Sequence, residues 1–294
     1  APATGSNIFA GFGAIVDLGA DYDAVTKPHA FQFVELGESG SAEAGGSRAA
    51  AHTLFRAMLK EAQRYGRDTV GYDSDLLSRA DAAALAEVVQ GKVRLVVHVE
   101  RAADIIQALA LTKDFPALKL VLVGVSEGWL VADRIAAAGV PVIASALNDL
   151  PEAFEKTAAT QSNIGRMKRA GVKVAIGMIN DRDAHQLRYE PQYAGNLVAL
   201  TRVPGATGLS WDEAFAAITS APAEAMGMEA QIGSLQPGRA GDVVVWDGDP
   251  LEISSTPTMV MIDGVEQPLD NRQQRLRDRY RSLERGALPK AYER

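Results

Sequence analysis

The sequence predicts an α/β fold built on a parallel sheet, followed by a small β segment and a terminal helix. Three observations carry that expectation. From Val93 onward, short apolar runs alternate with helical patterns, the signature of βαβ units. The runs are apolar almost throughout, as strands covered on both faces must be. Near the end, a Gly/Pro turn leads into a strand-like Asp242-Val-Val-Val-Trp246, where the rhythm changes.

Taken in order, Gly11 and Gly13 precede a strand at Ala14 to Leu18. A phosphate-binding loop needs its glycines after a strand and opening a helix, so this order argues against one. A second strand is expected at Phe31 to Leu36, then a Gly/Ser-rich loop. Ser47 stands where an N-cap belongs, before a helix from about Arg48 to Tyr65. Its apolar face recurs at Leu54, Met58 and Ala62, and Gly66 is placed to end it. A further helix runs from about Asp81 to Val89.

The regular part follows. Strands are expected at Val93 to Val99, Leu118 to Val123, Val140 to Ala144 and Val172 to Ile176. Helices are expected at Ala102 to Thr112, from an N-cap at Ser126 to Ala138, and from Pro151 to about Ala170. Ser210-Trp-Asp-Glu213 reads as a capping box, and Pro222 falls in the first turn of the next helix. Gln236-Pro-Gly-Arg239 fits a type II turn; Asp247-Gly248 and Asp263-Gly264 read as tight turns around the strand Thr258 to Ile262. The arginine-rich tail from Pro268 to Arg285 reads as a solvated amphipathic helix.

The composition excludes several functions. Net charge is −7, which gives nucleic acid or an anionic membrane no reason to bind. No apolar run approaches the ~18 residues of a membrane span. With no cysteine, disulfides, thiolate metal sites and cysteine nucleophiles are out. The start, Ala-Pro-Ala, carries no signal-like segment, so the expected location is the cytoplasm, or the periplasm or exterior after signal removal.

Gly233-Ser-Leu235, Pro237-Gly238 and Gly241-Asp-Val-Val-Val-Trp246 resemble the end of an amidohydrolase-superfamily barrel, of the imidazolonepropionase and prolidase type. The resemblance implies a partial (β/α) TIM-like barrel of about six strands over residues 1–230. A small β-domain segment (231–268) and a C-terminal helix and tail (269–294) follow. It implies that a β segment and the first two barrel strands precede the equivalent of residue 1. The superfamily's His-x-His strand is absent from this sequence. The chain then corresponds to the last two-thirds of such a protein, and a complementary N-terminal chain or a homo-oligomer is an expected partner.

Working residues of a parallel barrel lie at the C-terminal ends of strands. Those positions here hold Glu35 or Glu38, His98, Ser126, Glu127, Asn148, Asp149, Asn180, Asp181 and His185. The resemblance implies that His98 ligates a divalent metal, zinc first. It implies that Asp181 is a second ligand and the base that activates water, in a loop shifted from the usual spacing. His98 reads equally as a rim histidine bonded to a loop, and Asp181 as half of a turn-forming Asn-Asp pair. Glu127 stands where a sixth-strand histidine is usual; it reads as a replacement ligand or base, or as a carboxylate at a helix N-terminus. His185 and Arg188 read as substrate-binding residues, Arg188 for a carboxylate, or as a polar loop bonded to itself. The function implied is hydrolysis of a C–N bond in a cyclic amide, acyl-amino acid or dipeptide through a metal-activated water. The opposing reading is a degenerate homologue, or one subunit of a split enzyme.

Overall fold

The computed structural model describes residues 7–19, 22–146, 148–177 and 187–281. A hairpin opens the chain: β1 (Phe9–Val16) pairs antiparallel with β2 (Val25–Glu35). Helices α1 (Glu38–Glu43), α2 (Arg48–Arg67) and α3 (Arg79–Val89) follow. Then come β3 (Arg94–Val99), α4 (Ala102–Asp114), β4 (Leu120–Gly124), α5 (Ala132–Ala138), β5 (Val142–Ala144), α6 (Asn163–Arg169) and β6 (Val174–Ile176). The six strands form one sheet in chain order, and β2 to β6 are parallel throughout. Among the described residues β1 and β6 are its two edges. This is the α/β fold of a partial TIM-like barrel, with one difference from expectation: the first strand runs antiparallel and is part of a hairpin, not of a βαβ unit.

Helices α7 (Glu190–Ala199), α8 (Trp211–Ala217) and α9 (Ser220–Met226) close this part. A separate antiparallel sheet of β7 (Val243–Trp246), β8 (Pro257–Ile262) and β9 (Val265–Glu266) precedes α10 (Arg272–Tyr280).

Side-chain alternation explains the apolar strands. Leu95, Val97 and Val99 of β3 join the large core between sheet and helices. Val96 points the other way, into a smaller cluster with Phe33, Val121 and Val123. Leu95 is fully buried, worth about 1.5–3 kcal/mol by area. Register aligns Phe31, Phe33 and Glu35 of β2 with Arg94, Val96 and His98 of β3. The concave face therefore changes from apolar to ionic at its C-terminal end, with Glu35 and His98 as cross-strand neighbours.

Several local signals read correctly. Ser47 caps α2 by accepting from the Ala50 N–H. Ser210 and Glu213 form the capping box of α8. Gly238 takes φ +86° with the Arg239 N–H on the Gln236 carbonyl, as a type II turn requires. Others did not. Helix α2 passes through Gly66 and ends at Arg67. The segment after Pro151 forms no long helix: it makes a short 3-10 turn at Phe154–Lys156, and α6 begins only at Asn163. Polar anchors replace it, described below. Asp247-Gly248 does not close a tight hairpin, because β7 and β8 are joined by a longer loop that Asp247 ties through the Thr256 N–H.

Candidate active site at the carboxyl ends of the parallel strands

His98 is the centre of a buried ionic cluster. Its Nδ1 lies 2.7 and 2.8 Å from the two carboxylate oxygens of Glu35, and its Nε2 lies 3.1 Å from Glu100 Oε1. Glu100 follows two residues after His98, so both side chains leave the same side of the extended chain. Lys156 Nζ stands 3.5 Å from Glu100 Oε1. The backbone N–H and the hydroxyl of Ser126 both donate to Glu100 Oε2, at 2.9 and 2.6 Å. The Asn148 amide donates to the same hydroxyl at 2.8 Å.

Burial disfavours the charged imidazole, but bonds to Glu100 and Glu35 and their negative charge outweigh it and raise His98 from 6.5 to about 10. Burial acts against the Glu100 carboxylate too, and is outweighed by His98, Lys156 and the Ser126 bond, so Glu100 is held below the usual range. Both directions describe one imidazolium between two carboxylates. Beside it, Glu155 Oε2 accepts from the Glu38 N–H at 2.7 Å. Burial dominates at Glu155 and pushes its carboxyl up, in spite of that bond.

Two glycines make room for the cluster. A Cβ on Gly37 would stand 2.7 Å from Glu155 Oε2 and 3.1 Å from Glu35 Oε1. One on Gly124 would stand 2.8 Å from both the Glu100 carboxyl and the His98 ring. Gly124 and the next residue, Val125, both take positive φ, +86° and +56°. That conformation is costly for a β-branched residue. It is held by the Val125 N–H on the Val99 carbonyl and by the Asn163 amide on the Val125 carbonyl. The turn aims Ser126 back at Glu100.

Glu127, the next residue, takes no part in the cluster. Its Oε2 accepts from the Ala102 N–H, the first residue of α4, and its Oε1 accepts from the Ala158 N–H. It is a carboxylate at a helix N-terminus, although the helix is the neighbouring one. Each of its oxygens thus accepts one backbone hydrogen bond. Ser126 likewise caps no helix; a 3-10 turn at Gly128–Leu130 separates it from α5. Arg188 donates to the Tyr189 hydroxyl and lies over that ring, and none of these bonds goes to the His98 cluster. Asp181 and His185 lie outside the described residues.

Glu100, Glu155 and Lys156 were missed from sequence. The His98-Val-Glu100 spacing was a usable signal for the first. No pattern marked the other two, since a loop 117 residues along the chain from Glu38 carries Glu155 to it. Gly124-Val-Ser126-Glu-Gly128 also has the Gly-x-Ser-x-Gly spacing of a nucleophile elbow. Here the hydroxyl is buried and its neighbouring carboxylate is acidified, which makes Ser126 a support for Glu100 and Glu100 a poor base.

The cluster does not fit a divalent metal as it stands. Both nitrogens of His98 are taken by carboxylates, and the charges of Glu35 and Glu100 are balanced by His98 and Lys156. No group of three or more His, Asp or Glu side chains among the described residues is arranged to hold an ion.

Residues 131–266 match the family described as "Amidohydrolase family". Over 60 residues the chain is 43% identical to "Amidohydrolase tasK" of Hapsidospora irregularis, a stretch covering 20% of this chain and 6% of that protein. In fold it is similar to an amidohydrolase from Thermotoga maritima MSB8, with a TM-score of 0.76 and 22% identity, over 90% of this chain and 69% of that one.

Proposed function

From the match of residues 131–266 to the amidohydrolase family and the likeness in fold to an amidohydrolase, we propose that the chain is a member of the amidohydrolase superfamily that hydrolyses a C–N bond at the carboxyl ends of β2 to β5. The substrate class is a cyclic amide, an acyl-amino acid or a dipeptide. The observation that carries the reading is the buried Glu35–His98–Glu100 array with Lys156 and Glu155 beside it, on the rim where parallel barrels do their chemistry. Lys156, partly exposed beside Glu100, puts positive charge on the rim where a carbonyl oxygen would gain negative charge. Glu155 holds its proton more readily than an ordinary carboxyl, which suits it to pass one to a leaving amine.

A divalent metal, zinc by resemblance, would supply an activated water and a polarised carbonyl. The described residues do not hold one by themselves, so that chemistry depends on donors outside them, Asp181 first.

A second reading has its own support. Every charge in the His98 cluster is already answered by a neighbour, which is what a purely structural ionic lock needs. A degenerate homologue, or one member of a split enzyme, would keep such a lock.

Turnover of cyclic amides, N-acyl-amino acids and X-Pro dipeptides, with and without added zinc or manganese, separates the two. Hydrolysis of one class, lowered about 10²-fold in Glu155→Gln, supports the first. A folded chain that turns over none, with less than about a tenth of an equivalent of bound metal, supports the second.

A further inference from the structure

Helices α2 and α4 flank an open cleft of about 480 Å³ that no residue of the His98 cluster lines. That size is within the ordinary range for small-molecule sites. Arg48, His52 and Arg56 of α2 recur at four-residue steps and so stack along one helix face. Asp104 and Gln107 of α4 stand opposite.

The polar groups here are incompletely satisfied. His52 and Asp104 are each more than nine-tenths buried, at 8% and 7% exposure. Yet His52 Nε2 and Asp104 Oδ2 have no hydrogen-bond partner. They do lie near charges: His52 Nε2 is 3.4 Å from Asp104 Oδ1, and Arg48 Nε is 3.5 Å from Asp104 Oδ2. At those separations neither contact closes an aligned hydrogen bond. Buried polar atoms are almost always paired, so an orphaned pair facing one cleft calls for a ligand that completes it.

Charge decides what kind. Arg56 is already engaged by the Asp114 carboxylate and the Gln107 carbonyl. The remaining charges are one cation, Arg48 of α2, and one anion, Asp104 of α4, 3.5 Å apart. A simple anion would meet Asp104, and a simple cation would meet Arg48. A molecule carrying both charges on neighbouring atoms satisfies both walls. We propose that this cleft binds a zwitterionic α-amino acid. Its carboxylate lies on the Arg48 guanidinium. Its ammonium lies between Asp104 Oδ2 and His52 Nε2, the two atoms left without a hydrogen bond. The small side chains of Ala49 and Ala103 leave space for the ligand's own side chain.

Isothermal titration of the full chain with glycine, proline and glutamate tests this, with acetate and methylammonium as single-charge controls. The expected result is saturable binding of at least one amino acid near or below ~1 mM, with neither control competing. Arg48→Met and Asp104→Asn should each weaken it about tenfold or more, since each removes a charge-assisted contact. Glu155→Gln should leave it unchanged, which separates this cleft from the rim. Arg48 is partly exposed and decides the matter if Asp104→Asn does not fold. No saturable binding to about 10 mM, acetate binding as tightly as the amino acid, or unaltered affinity in Arg48→Met would each overturn the proposal.

Discussion

Replacing His98 by leucine keeps much of its volume and removes the one cation that touches both Glu35 and Glu100. The two carboxylates are buried, at 2% and 3% exposure, and among the described residues the cation that remains beside them is Lys156, 3.5 Å from Glu100. Breaking a buried pair in this way costs roughly 3–5 kcal/mol, a large part of the 5–15 kcal/mol that holds a typical domain together. The pH dependence makes the test sharper. The folded-state pKa of His98 is raised from 6.5 to about 10, so its stabilisation is complete below 6.5 and is lost as pH rises through 10. Glu100 is depressed, so its share is present above its ordinary 4.5 and is lost as pH falls. These are two faces of one interaction and are not added. Between about pH 6.5 and pH 9 the wild-type chain should lose about 3 kcal/mol, at ~1.4 kcal/mol per pH unit, that His98→Leu does not lose. Urea unfolding followed by far-UV circular dichroism, at pH 6 and pH 9, reads both numbers. A wild-type to variant gap that stays constant across that range would mean His98 is neutral in the folded chain, and the ionic-lock argument would fail.

Two further outcomes follow from single sites. Glu190 has both carboxylate oxygens buried without a partner, and burial raises its pKa to about 7. Its raised folded value means stability is lost as pH climbs from 4.5 through 7. Discounted for partial exposure, Glu190→Gln should gain about 1 kcal/mol, or ~2–4 °C in Tm, at pH 8 and nothing at pH 4; an equal gain at both would refute the assignment. Gly195→Ala sets two effects against each other within α7. Helix propensity favours alanine by about 1 kcal/mol, but the new Cβ would stand 2.2 Å from the Leu251 carbonyl oxygen. Overpacking at roughly 1–3 kcal/mol should win, and a thermal melt of the variant above wild type would show that Leu251 yields freely.

What was legible in the sequence follows a physical division. Capping and turn chemistry is local, so Ser47, Ser210 with Glu213, and Gly238 could be read from a few neighbouring residues. The parallel sheet was legible because strands covered on both faces must be apolar throughout. Where a local signal met a tertiary demand, the tertiary demand won. Pro151 opens no long helix, because the chain there is held by Trp129 on the Ala158 carbonyl, Glu155 on the Glu38 N–H and Lys156 on Glu100. Ser126 looked like a cap and is instead a ligand of Glu100. Glu127 accepts from the first N–H of a helix that begins 25 residues earlier, a contact its own neighbours in sequence do not announce.

The sequence by itself therefore determined the order of the parallel strands, the caps at Ser47 and Ser210, and the resemblance carried by residues 233 to 246. Those depend on periodicity and on contacts within a turn or two. Only the tertiary structure decided that His98 sits between Glu35 and Glu100, and that Lys156 and Glu155 join them. The same holds for the cleft that His52 and Asp104 share. Those groups are brought together by strand register and by a loop crossing the sheet, and register between distant segments leaves no mark in either segment alone.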